Sequence, residues 1–116
     1  MKGFVVLTDR YPQSEFAGLC DGPKLNDKKG FISRKEKECF RVAKLCSPDL
    51  VVKMLVSPEK ASERKPSEID IITNKNLTER IKNIHFSPYT KSVLIDTDKS
   101  IEQVVLEVKR IVWEVL

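Results

Sequence analysis

Three short apolar runs constrain the fold of this chain most: Phe4 to Thr8, Asp49 to Val56 and Ser92 to Asp96. Each is bounded by turn or polar residues and is short enough to read as a strand. The second is nearly continuous in apolar residues, as strands covered on both faces are. Helical periodicity fills the intervals. From Phe31 to about Cys46, Ile32, Cys39, Phe40, Ala43 and Cys46 share one stripe, with Arg34, Lys35, Lys37, Glu38 and Arg41 mostly outside it. Ser47-Pro48 stops this helix. Ser57 caps a short helix with Pro58 at its first position, and that helix ends near Lys65-Pro66. Ser67, with Asp70 three residues on, caps another that runs to about Ile84. Ser100 opens the last helix and Gln103 closes a capping box. There Ile101, Val104, Val105, Val108, Ile111, Val112 and Val115 repeat at helical spacing, with Trp113 just off the stripe. Strands alternating with helices predict an α/β fold, a three-layer parallel sheet with flanking helices.

A chain of 116 residues suits one domain spanning 1–116. The net charge of +4, from 21 basic and 17 acidic residues, suits anionic ligands such as nucleotides. The basic residues are spread along the chain without interleaved aromatics, so no nucleic-acid partner is expected. No apolar stretch approaches the length of a membrane span, and no membrane partner is expected. Cys20, Cys39 and Cys46 are an odd number without CxxC spacing, which argues against a disulfide framework or a zinc site. Cys39 and Cys46 read as small buried hydrophobes, and the cysteine usage favours a cytoplasmic location.

The chemistry-bearing residues fall in four places. Asp9, Arg10 and Tyr11 close the first run, with Ser14 three residues on. The rim of an open α/β sheet is where such folds bind ligands, and an Arg beside a buried acid keeps it ionised and can grip a phosphate. The alternative is that Asp9 and Arg10 cap the strand and pair with each other. Lys60, Arg64 and Lys65 precede Pro66. Lys60 and Arg64 share a helical face and could clamp a transferring phosphoryl group, or lie on a solvated face balanced by Glu59 and Glu63. Asp96-Thr97-Asp98 follows the third strand and could meet a base or ribose, or serve as turn chemistry ahead of Ser100. His85 has no second ligand nearby in sequence and reads as an ordinary loop residue, so no metal site is expected. A long loop from Tyr11 to Gly30 holds an Asp21-Gly22-Pro23 turn. There is no GxxxxGK[ST], the loop that cradles triphosphate.

Three segments together resemble the thymidylate kinases. Asp9-Arg10-Tyr11-x-x-Ser14-x-x-Ala17 resembles their DRYxxSxxA stretch. Pro48-Asp49-Leu50, followed by Leu55-x-Ser57-Pro58-Glu59-x-Ala61-x-Glu63-Arg64, resembles the segment running from a strand into the lid, here about 59–68. Val93-Leu94-Ile95-Asp96, with Ser100-Ile101-Glu102-Gln103-Val104-Val105, resembles their closing strand and helix. The resemblance implies a P-loop nucleotide-kinase-like fold, truncated at the N-terminus. It implies transfer of the γ-phosphoryl of ATP to a nucleoside monophosphate, with Mg²⁺ in the complete family enzyme. It makes Asp9 a catalytic residue near the acceptor phosphate and the metal, and puts Arg10, Tyr11 and Ser14 at the acceptor nucleotide. It makes Arg64 a catalytic lid cation together with Lys60 and Lys65, and sets Asp96 near the base. Gly18 stands where the family carries an aromatic residue, Ser57 replaces an acid, and the lid lacks a further arginine, so the acceptor stays open. Without the P-loop strand two apolar sheet edges are exposed. The chain is therefore expected to be a fragment of a longer kinase, or a remnant whose core closes differently and pairs with a partner or a second copy. A non-catalytic binding or assembly module derived from such a kinase is the alternative function.

Overall fold

The structure, a computed structural model, describes residues 3–18, 21–25, 28–66 and 71–116, and separates into two compact units, Met1–Leu45 and Cys46–Leu116. The Ser67 cap, Asp70 and Cys20 lie outside the described residues.

The first unit is a loop laced onto one helix, α1 (Phe31–Leu45). Its loop is ordered by polar contacts. The Gln13 side chain is buried, accepts from the backbone N–H groups of Glu15 and Phe16 at 2.8 and 2.9 Å, and donates to the Phe16 carbonyl. Asp21 and Gly18 take positive φ values of 61° and 71°, which lets the chain turn back so that the Gly18 N–H reaches the Pro23 carbonyl at 2.8 Å. The Glu36 carboxylate accepts from the backbone N–H groups of Lys24 and Leu25, Ser33 donates to the Leu25 carbonyl at 3.0 Å, and the Tyr11 hydroxyl donates to the Ala43 carbonyl at 2.8 Å.

These contacts correct three expectations. The face of α1 turned inward is Ser33, Glu36, Phe40 and Ala43, so only the last two of the expected stripe are even half-buried. Ile32 is 71% exposed, and Cys39 and Cys46 are exposed rather than buried. Periodicity gives a helix its apolar sector, but polar groups of the neighbouring loop decide which sector it covers. The run Phe4 to Thr8 forms no strand, and Phe4 and Leu7 are 96% and 81% exposed. Strand propensity needs a neighbouring edge to express it, and among the described residues no strand pairs with this run.

The second unit runs β1 (Leu50–Leu55), α2 (Pro58–Arg64), α3 (Ile71–Asn83), β2 (Lys91–Asp96) and α4 (Ile101–Val115). β1 and β2 pair in parallel, Val52 opposite Val93 and Leu55 opposite Asp96. The crossover through α2 and α3 gives a parallel pair the length of connection it requires. The described sheet therefore has two strands, not three. Ser57 caps α2 with Pro58 at its first position, and the full capping box of Ser100 and Gln103 opens α4.

Pleating divides the strand residues between two faces. Val93 and Ile95 lie on the face of β2 that carries Lys91, which reaches Glu114 of α4 at 3.9 Å, so α4 covers that face. Ile95 is fully buried there, and Ile111 of α4 is 5% exposed. Lys53 projects from the opposite face of β1, and its ammonium donates to the carbonyls of Lys82 and Ile84 at the end of α3. A lysine on the last carbonyls of a helix both satisfies them and complements its dipole. The result is α3, sheet and α4 in three layers. β1 is nonetheless only half-buried, with Met54 54% exposed, because two strands present less surface to each helix than a full sheet does.

Candidate functional site: the cleft at the strand ends

The carboxyl ends of β1 and β2 open into a cleft of about 460 Å³ on the α3 side of the sheet. It is lined by Leu55, Val56, Ser57 and Pro58 where β1 enters α2, by Thr78 and Lys82 of α3, and by Leu94, Ile95, Asp96 and Asp98 at the end of β2. Open α/β sheets bind ligands at this end of their strands, and the volume is in the range of small-molecule sites.

The loop after β2 forms one wall and is tied to β1 and α2. The Thr97 N–H and hydroxyl both donate to the Leu55 carbonyl, at 2.7 and 2.8 Å. The Asp98 carboxylate accepts from the Ser57 N–H at 2.9 Å, and the Asp96 carboxylate from the Asp98 N–H at 2.8 Å. Lys60 donates to the Asp98 carbonyl at 2.6 Å and Arg64 to the Thr97 carbonyl at 3.4 Å. Three residues singled out from the sequence, Lys60, Arg64 and Asp96, thus meet around one loop. Both cations bond its backbone, Arg64 while itself exposed; Lys65 follows, also exposed, at the end of α2.

The first cluster belongs to the other unit. Asp9 is exposed rather than buried beside an arginine, and Ser14 is exposed too. Arg10 pairs at 3.4 Å with Asp21 and not with Asp9, its side chain 73% exposed. Tyr11 is spent on the Ala43 carbonyl. His85 is exposed beyond α3, and among the described residues no group of three His, Cys, Asp or Glu could hold a metal ion. Among them, too, no helix is long and apolar enough to cross a membrane.

Sequence reading missed Thr78 and Lys82, because only the folded crossover carries the end of α3 to the strand ends. Lys82 is the cation on the cleft wall. It pairs with Glu79 at 2.8 Å, and that hydrogen bond holds the Glu79 carboxyl below the usual carboxylate range.

The Asp98 carboxyl is also held below its ordinary value of 3.8, first by the Ser57 backbone N–H, with the Lys60 and Arg64 charges adding to it. A carboxyl whose folded pKa is depressed stabilises the fold fully above the unfolded value and loses that contribution as pH falls through the folded one. In thermal melts, the stability advantage of the wild type over Asp98→Asn is therefore expected to hold at neutral pH. It should shrink as pH drops through 3.8 and below. An advantage unchanged down that limb would mean that the carboxylate makes no special contact.

No protein-family model matches the chain, and no solved structure matches it. The chain is similar to the uncharacterized ATP-binding protein YghR of Escherichia coli (strain K12), 28% identical over 71 residues that cover 55% of this chain and 28% of that protein. The corresponding protein of a second strain, Escherichia coli O6:H1, matches to the same extent. The match spans little more than a quarter of the length of these relatives.

Proposed function

We propose that this chain is a nucleotide-binding α/β module of the thymidylate kinase-like kind. The observation that carries this reading is the cleft at the carboxyl ends of two parallel strands, with a lysine and an aspartate on its walls. The ATP-binding relative and the three kinase-like segments support it. Lys82 has the chemistry to meet a phosphate, and Asp96 that to accept from a ribose hydroxyl or an exocyclic amine. By the resemblance alone, Asp9, Arg10, Tyr11 and Ser14 would serve the acceptor, and Arg64, Lys60 and Lys65 the lid. Among the described residues no three His, Cys, Asp or Glu side chains gather to hold Mg²⁺ without the phosphates of a nucleotide.

Titration calorimetry with ATP, ADP and a panel of nucleoside monophosphates tests the proposal, alongside a coupled ATP-consumption assay. Saturable binding of at least one nucleotide is expected, without turnover, since the GxxxxGK[ST] cradle is not in this sequence. Absence of saturable binding up to millimolar nucleotide would overturn the reading. It would leave the alternative of a non-catalytic assembly module, which the exposed Phe4–Leu7 run and the two-stranded sheet favour.

A further inference from the structure

The two units divide the charge of the chain unevenly. Residues 1–45 hold ten basic and six acidic side chains, and residues 46–116 hold eleven of each. The whole excess of +4 therefore resides in the unit that carries α1.

Around the axis of α1, at 3.6 residues per turn, the side chains sort into three sectors. Ser33, Glu36, Phe40 and Ala43 form the inward sector, held by the loop through Leu25, Lys24 and Tyr11. Arg34, Lys37, Arg41 and Lys44 form a basic sector beside it, all exposed. The third sector, an arc of roughly 140°, carries Phe31, Ile32, Cys39, Val42 and Leu45. Phe31, Ile32 and Leu45 are 69%, 71% and 72% exposed. Two charges lie inside this arc, Glu38, neutralised by Arg41, and Lys35, a further cation. Glu38 is bonded by Arg41 at 2.9 and 2.6 Å, and Lys35 stands 5.4 Å over the Phe31 ring.

We propose that this face of α1 is a docking surface for a bilayer rich in anionic lipid, the helix lying in the plane of the headgroups. A basic sector flanking an exposed apolar one is the pattern of interfacial helices, whose apolar side chains enter the acyl boundary while Lys and Arg stay with the phosphates. Charge excludes a second copy of the chain, because two such faces would bring like charges together, with Glu36 and Glu38 already engaged internally. An enveloping protein groove needs access around the helix, and the inward sector is occupied by the chain's own loop. A planar anionic surface needs only the side that is free. This is contact with a membrane surface and requires no membrane-spanning segment.

The test is co-sedimentation of the full chain with vesicles of phosphatidylcholine alone, or of phosphatidylcholine with about one third phosphatidylserine. Partition onto the anionic vesicles only, lost at high salt, is expected. The triple variant Arg34→Gln, Lys37→Gln, Lys44→Gln should weaken partition by about fivefold per charge removed. The double variant Ile32→Ser, Val42→Ser should weaken it by about tenfold or more with the charges untouched. Circular dichroism checks that both keep their helix, and since the two act on different sectors either one alone decides the matter. Equal partition onto both vesicle types, or none onto the anionic ones, would overturn the proposal. So would an unchanged partition of whichever variant folds. Binding of calcium-loaded calmodulin by a chain that does not partition onto the anionic vesicles would instead assign the face to an acidic protein.

Discussion

Replacing Ile95 by Ala is expected to cost about 3 kcal/mol, a large share of the stability of residues 46–116. Ile95 has no exposed surface, and it lies where β2 meets α4. Among the described residues of the second unit, the other apolar side chains that reach comparable burial are Ile84 and Ile111, so a void at Ile95 has few described neighbours able to relax into it. A unit of this size has a total stability of only about 4 to 10 kcal/mol. Leu94, one residue earlier on the opposite face, is 52% exposed, and Leu94→Ala should cost about 1 kcal/mol or less. Urea denaturation followed by far-ultraviolet circular dichroism measures both. Trp113, 75% exposed, is a poor fluorescent reporter of this transition. Equal losses in the two variants would show that α4 does not cover the Ile95 face.

The second large effect concerns Lys82. If the cleft takes the phosphates of a nucleotide, Lys82→Glu should weaken binding by about tenfold or more. A hydrogen bond to a charged group contributes about 1.5–3 kcal/mol, and reversal adds repulsion to its loss. Lys82→Arg should retain most of the affinity, because the cation is kept. Lys82 is partly exposed and its side chain makes a local pair with Glu79, so neither substitution disturbs the fold greatly. Titration of the nucleotide that the wild-type chain binds best gives the comparison. Identical affinities for all three proteins would place the phosphates elsewhere.

Legibility in the sequence tracks how local each signal is. The Ser57-Pro58 start of α2 and the Ser100 and Gln103 box of α4 are decided within four residues, and both were readable. The two strands that form were readable as short apolar runs. Phe4 to Thr8 carries the same local signal and forms no strand, because pairing depends on an edge elsewhere in the chain. For α1 the period was legible but the buried sector was not: Ser33 and Glu36 are drawn inward by backbone groups of the loop, and apolar periodicity is silent about them. At the cleft, Lys60, Arg64 and Asp96 were readable as charges near a strand end. Lys82 and Thr78 come to the same place only through the crossover, which no spacing in the sequence encodes.

Lys60 and Arg64 fasten the segment after β2 through main-chain oxygens, which every amino acid supplies. At position 97 the two donors to Leu55 are a peptide N–H and a hydroxyl, of which the first is also generic. Saturation mutagenesis of this stretch should therefore find Thr97 permissive to most replacements other than proline, whereas the donor positions 60 and 64 tolerate few. Evolutionary drift could rewrite the letter at position 97 while the trace of the loop through space stayed put.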